Sequence, residues 1–164
     1  MNAIVAVDEN WGIGRGNELL FCLKGDMKRF REMTTGGTIL LGRKTLETFP
    51  GDRPLPNRRN VVLTCTKSEV EGATVVHTVQ ELVEATKDED PDKVFVVGGG
   101  TVYTALVPLC KRVYLTRIEA TNGDPDTYFP NLDKLPGWEI EKESEPITED
   151  GITYRFVDYI NTNI

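Results

Sequence analysis

A chain of 164 residues, 39% of them hydrophobic, is long enough to bury a substantial core, and residues 1–164 read as one domain. Its 26 acidic and 19 basic residues leave a net charge of −7, which argues against nucleic acid and anionic membranes as partners. A lone His77 and three cysteines without metal-ligand spacing, Cys22, Cys65 and Cys110, remove most zinc-site and triad chemistry and point to a reducing, cytoplasmic compartment.

Apolar, β-rich runs recur at residues 3–7, 38–41, 60–63, 74–76, 93–97 and 112–118. Between them lie helical patterns at 26–33, 43–48, 79–87 and 101–106. This alternation predicts an α/β fold with a largely parallel sheet and helices on both faces. No apolar run approaches the roughly 20 residues of a membrane span, and residues 1–8 read as a strand rather than a secretory leader. Residues 138–144 and 152–160 alternate about Thr148-Glu149-Asp150-Gly151, which predicts an antiparallel hairpin at the sheet edge. The charged stretch 87–92 reads as a solvated loop. Residues 8–25 and 49–57 are too long and too rich in glycine or proline for plain connectors. The first has the apolar tip Leu19-Leu20-Phe21, which suggests a lid.

Three local features carry chemistry. The run Val94-Phe95-Val96-Val97 breaks at Gly98-Gly99-Gly100 and resumes at helical spacing. Such a break is either a tight turn or a phosphate cradle, because glycine lets backbone approach a ligand closely. Its spacing is not that of the usual dinucleotide fingerprint. Asp26 opens a helix whose apolar face carries Phe30 and Met33. A carboxylate there is either satisfied by helix amides or placed in an apolar pocket, where it matches an amidine-like edge such as a 2-aminopyrimidine. Finally, Arg43-Lys44 and Arg58-Arg59, with Lys67 downstream, concentrate positive charge beside strands of an acidic chain.

These residues belong to a longer resemblance. Segments Ile4-Val5-Ala6-Val7-Asp8, Trp11-Gly12-Ile13-Gly14, Asp26-Met27-Lys28-Arg29-Phe30 and Leu41-Gly42-Arg43-Lys44-Thr45 are similar to bacterial dihydrofolate reductases. So are Arg53-Pro54-Leu55-Pro56-Asn57-Arg58, the stretch from Val97 to Tyr103, Tyr114-Leu115-Thr116-Arg117-Ile118 and Asp126-Thr127-Tyr128-Phe129-Pro130, all in the family's order. The resemblance implies a three-layer fold with a mostly parallel eight-stranded sheet, an antiparallel C-terminal edge hairpin and about four helices. It implies NADPH-dependent reduction of 7,8-dihydrofolate to tetrahydrofolate in a monomer open to diaminopyrimidine and pteridine antifolates. Hydride passes from nicotinamide C4 to pterin C6, and N5 gains a proton.

Residue by residue, the resemblance gives Asp26 the pterin N3 and 2-amino group, with Thr116 reaching the same edge. Ile4, Val5 and Phe30 would wall the pterin, and Phe49 and Leu55 the benzoyl group. Arg58 would clamp the α-carboxylate of the glutamate tail, with Arg31 steering from the rim. Ala6, Ile13 and Gly14 would meet the nicotinamide and its ribose. Thr45 and the backbone of Gly99, Gly100, Thr101 and Val102 would hold the pyrophosphate, with Gly42, Leu63, Val97, Gly98 and Tyr103 also in the cofactor site. Arg43, Lys44, Thr64 and Cys65 would take the 2′-phosphate, His77 being a surface histidine. A cis Gly98–Gly99 peptide is also implied.

The chain departs from the family at Leu20-Phe21, where a Pro-Trp pair is usual, at Lys24, where a second proline is usual, and at Pro125, where glycine is common. Fewer prolines should loosen the lid. Two other readings fit parts of the pattern: a related reductase of the same fold from the riboflavin pathway, and a non-catalytic nucleotide-binding module using only the glycine turn.

Overall fold

Side chains branched at Cβ pack well on a pleated surface and lose rotamer freedom in a helix, so the Val- and Ile-rich runs become strands. In the computed structural model, residues 1–16, 18–66 and 69–164 are described. Lys67 lies outside them. The first half of the chain forms β1 (Asn2–Val7), β2 (Gly12–Arg15), β3 (Glu18–Leu19), α1 (Lys24–Thr34), β4 (Thr38–Gly42) and α2 (Arg43–Leu46). Then follow β5 (Arg59–Leu63), β6 (Thr74–Val76), α3 (Val79–Thr86), β7 (Val94–Gly98) and α4 (Gly100–Leu106). The chain closes with β8 (Arg112–Ile118), β9 (Thr127–Tyr128), β10 (Trp138–Glu143), β11 (Ile147–Glu149) and β12 (Ile152–Asn161).

The main sheet runs β10-β12-β8-β1-β7-β4-β5-β6. Strands β8, β1, β7, β4, β5 and β6 pair in parallel, while β12 joins β8 antiparallel. The mostly parallel sheet with an antiparallel edge is as expected, and β11 on β12 makes a ninth strand beyond the eight expected. The Asp150-Gly151 turn closes β11 onto β12, not β10 onto β12 as the sequence suggested. Both turn residues have positive φ, 51° and 79°, the pairing that two-residue hairpins favour. Strand β10 pairs farther along β12, from Trp138 opposite Asn161 to Glu143 opposite Val157.

Alternation along the central strands divides the core. Ala3, Val5, Leu40 and Val96 pack into one cluster, and Ile4, Ile39, Leu41 and Phe95 into another. Both faces of the sheet are therefore covered, as parallel strands require. The stretch expected as a lid loop carries structure of its own: β2 pairs with β3 and with β9 in a small second sheet. Local alternation could not reveal this, because β9 lies more than a hundred residues away in sequence. The stretch 87–92 is also not simply solvated. Glu89 accepts from Thr38 at 2.9 Å and pairs with Arg59 at 3.1 Å, tying that loop to β4 and β5. Among the described residues, no helix is long and apolar enough to cross a membrane.

Buried Asn60 on β5 braces the proline-rich loop by receiving the Leu55 amide and donating to the carbonyls of Leu55 and Arg58. Asn60→Ala should lower unfolding free energy by roughly 1–3 kcal/mol, the usual cost of leaving buried polar groups unpaired. Urea denaturation checks this, and an unchanged midpoint would show that the loop holds itself.

Candidate active site

Asp26 sits in the first turn of α1, partly buried, with its Oδ1 accepting a 2.6 Å hydrogen bond from Thr116 Oγ on β8. The two readings of this carboxylate are separated by the helix start. The leading amides of Lys24 and Gly25 donate to Glu149 instead, at 2.7 and 3.0 Å. Asp26 is therefore directed across to β8. Burial holds its pKa above the ordinary 3.8; Thr116 and Arg29 oppose that rise, and the negative Glu149 adds to it.

An apolar wall stands beside it. Ile4, Phe30, Phe49 and Leu55 pack in one cluster, bringing together four residues expected around a flat substrate. Val5 belongs to the cluster on the opposite face, so toward this wall it presents backbone rather than side chain. At the outer end, Arg58 donates to Thr34 Oγ at 2.8 Å and to the Pro56 carbonyl at 2.9 Å. Its guanidinium is lowered from its usual pKa by burial and then by the neighbouring Arg31 charge. Arg58 and Arg31 are thus a true cationic pair. Arg59 is a structural residue, bonded to the Ala85 carbonyl and Glu89.

The glycine turn lies where β4 and β7 end. The Gly98–Gly99 peptide is cis, and Gly98 has φ 129°. A Cβ on Gly98 or Gly99 would lie 3.2 or 3.4 Å from the Thr45 hydroxyl, and one on Gly42 would lie 3.3 Å from Val102. Gly42, Thr45, Gly98, Gly99 and Val102 thus converge where β4 and β7 end, packed so closely that a side chain on any of these glycines would press on Thr45 or Val102. Gly100 and exposed Thr101 begin α4, while half-buried Val97 joins the Ile4 cluster. Tyr103 is buried and donates to the Ile4 carbonyl at 2.8 Å, linking the turn to β1.

Nearby, Arg43 pairs with Glu47 at 2.8 Å, Lys44 and Cys65 are exposed, and Thr64 is buried beyond half-buried Leu63. His77 is exposed, as expected of a surface histidine, and its Nδ1 bonds the Thr64 carbonyl at 2.7 Å.

Of the residues expected at the nicotinamide end, Ala6 lies half-buried on β1, while buried Ile13 and half-buried Gly14 lie on β2 within the lid. Its latch is the segment 122–128: Asp126 accepts from the Gly16 amide at 2.9 Å, its own amide donates to the Gly14 carbonyl, and Asn122 donates to the Leu20 carbonyl. Of the apolar tip, Leu20 is buried, Phe21 packs beside Leu23 and Leu19 stays exposed. Asn17 lies outside the described residues.

Sequence reasoning missed Arg29 and Glu149. Arg29 pairs with Asp158 at 2.7 Å and lies 4.3 Å from the Phe156 ring centre. No short-range spacing carries either contact, since the partners lie more than a hundred residues apart.

A dihydrofolate reductase family model matches residues 1–161. The dihydrofolate reductase of Bacillus subtilis is 37% identical in an alignment covering 98% of this chain and 94% of that protein. That of Staphylococcus aureus is 36% identical, covering 88% of this chain and 86% of the relative. A solved Enterococcus faecalis dihydrofolate reductase, complexed with NADP(H) and RAB-propyl, superposes with a TM-score of 0.85 at 35% identity. That match covers 97% of this chain and 94% of the solved one.

The raised Asp26 pKa has a signed consequence for stability. A carboxyl group that holds its proton more tightly folded than unfolded adds stability below its unfolded pKa and loses it as pH rises through the folded value. Asp26→Asn should therefore stabilise the fold at pH 7. The gain should shrink as pH falls from the raised value toward 3.8. Urea titrations across that window check it; a variant less stable than the parent at pH 7 would contradict it.

Proposed function

This chain belongs to the dihydrofolate reductase family, and from that premise we infer that it reduces 7,8-dihydrofolate to tetrahydrofolate with NADPH. The observation that carries the reading is the Asp26–Thr116 pair beside the Ile4–Phe30–Phe49–Leu55 wall, with arginines at its far end. That arrangement has the order of the substrate: a polar amidine edge, flat apolar rings and an acidic tail.

In this reading Asp26 receives the N3 and 2-amino donors of the pterin, and Thr116 fixes the carboxylate's orientation. The low-dielectric wall strengthens the carboxylate's attraction for positive charge, so it favours the ring protonated at N5. The proton itself comes from solvent. Arg58, pre-oriented by Thr34 and Pro56, takes the tail α-carboxylate in a two-point geometry that lysine cannot reproduce, with Arg31 beside it.

The fit of a dinucleotide is supported by the glycine turn, which brings the Gly98 and Gly99 backbone beside the Thr45 hydroxyl and leads directly into α4, a combination suited to a pyrophosphate. NADPH supplies the hydride when bound. Arg43, Lys44, Thr64 and Cys65 are the residues we assign to its 2′-phosphate, and Ala6, Ile13 and Gly14 to its nicotinamide end. Diaminopyrimidine and pteridine antifolates offer the same amidine edge and should compete at Asp26. Exposed, unpaired Cys22 and Cys65 fit the reducing cytoplasm in which we place this enzyme, as a monomer.

Dihydrofolate-dependent loss of NADPH absorbance tests the activity. Asp26→Asn should cut that rate near neutral pH by roughly 10²–10⁴-fold, the usual range for one proton-managing group. The residual rate should rise as pH falls, because solvent then supplies substrate already protonated. A hydride-transfer rate like the parent's at pH 7 would make Asp26 only a structural residue. Arg58→Ala should weaken dihydrofolate binding by about 2–5 kcal/mol while sparing a tailless diaminopyrimidine. Equal losses for the two ligands, measured by calorimetry, would remove Arg58 from the tail site.

A further inference from the structure

Helix α1 begins after Leu23, whose side chain provides no cap, so its leading amides depend on a distant partner. Glu149 is that partner. Its Oε2 receives the Lys24 amide at 2.7 Å and its Oε1 the Gly25 amide at 3.0 Å. The Lys24 bond exists only because position 24 is not proline, which has no N–H to donate. The Tyr154 hydroxyl of β12 and Glu149 Oε1 both border Gly25, where an added Cβ would overlap the hydroxyl and lie 3.6 Å from the carboxylate oxygen. The tight Asp150-Gly151 turn fixes Glu149 opposite Ile152, so the β11–β12 hairpin presents the carboxylate to the helix.

We propose that Glu149 is a positioning residue for the reaction: it clamps the first turn of α1 so that Asp26 meets Thr116, and its negative charge favours the proton that the site takes up. This rests on the reading of the chain as a dihydrofolate reductase. The groups facing Asp26 are Arg29 on its own helix, Thr116 from β8, Glu149 from β11, Tyr154 from β12 and Tyr103 from α4. Arg29 favours loss of the proton, and Glu149 favours its retention. The Gly25 and Lys24 amides hold Glu149 below the usual carboxylate range, so it stays ionised where the enzyme works. The pair's opposite signs make the site's affinity for a proton a balance. Removing one member must move it.

The test is the pH profile of single-turnover hydride transfer for the parent, Glu149→Gln and Glu149→Asp. In Glu149→Gln the alkaline decline in rate should move to lower pH, since the charge favouring the proton is gone. Glu149→Asp keeps that charge and should hold the parent's midpoint, even if the shorter side chain lowers the rate at every pH. A Glu149→Gln midpoint that stays in place or moves upward overturns the proposal. A purely structural role predicts that result, with the loss uniform across pH.

Amide hydrogen exchange supplies a readout independent of activity. Lys24 and Gly25 should exchange faster in Glu149→Gln while β1 and β8 stay protected, and unchanged exchange at both amides overturns the clamp. If Glu149→Gln does not fold, Tyr154→Phe, which keeps the charge but removes the hydroxyl beside it, should speed exchange at the same two amides. Unchanged exchange there is equally decisive. A parent protein inactive on dihydrofolate would sink the functional reading; an active parent with an unmoved Glu149→Gln midpoint sinks only this inference.

Discussion

The site is organised around a carboxylate that the fold has partly removed from water. Asp26 costs free energy where it sits, since an aspartate against apolar side chains prefers to keep its proton. What makes the position tenable is one short bond from Thr116, together with Arg29 on the next turn of the helix. Much of the surrounding architecture serves that contact. Strand β8 must lie beside β1, so that Thr116 stands opposite Ala6, and α1 must start at the correct height above the sheet. The hairpin of β11 and β12 supplies the restraint on that start.

The sheet order places the second half of the site. Strands β1, β7 and β4 are neighbours, and their carboxyl ends bring Ala6, Gly98 and Gly42 to one edge. Open α/β sheets bind ligands outside the carboxyl ends of their strands, where connections leave in different directions. Here the glycine turn after β7 and the glycine ending β4 let backbone approach Thr45 and Val102 more closely than side chains would allow. Tyr103 couples the halves by reaching from the helix after the glycine turn to the carbonyl of Ile4, a member of the apolar wall beside Asp26.

The features legible in the sequence were those written in short-range pattern. Branched apolar runs marked the six parallel strands, and Phe30 and Met33 marked the inner face of α1. The glycine triplet marked the turn between β7 and α4. Local pattern also showed that Asp26 was out of place on an apolar face, though not which partner would receive it. Long-range pairing was the part that stayed hidden. Nothing near Thr127-Tyr128 indicates that it will join the lid residues in a second sheet. Nothing near Glu149 announces a helix start 125 residues earlier. Arg59 looked like part of a basic site until Glu89 and the Ala85 carbonyl claimed it. Charge clusters identify available cations; only the fold decides which of them face a ligand.

The most direct test of this account is the protonation of Asp26 itself. With aspartate labelled at the side-chain carboxyl carbon, NMR titration of the free protein should give one resonance, absent in Asp26→Asn, that titrates above the ordinary 3.8. A resonance titrating at or below that value would mean that burial does not govern the carboxylate, and the proton balance built on Thr116, Arg29 and Glu149 would fail with it.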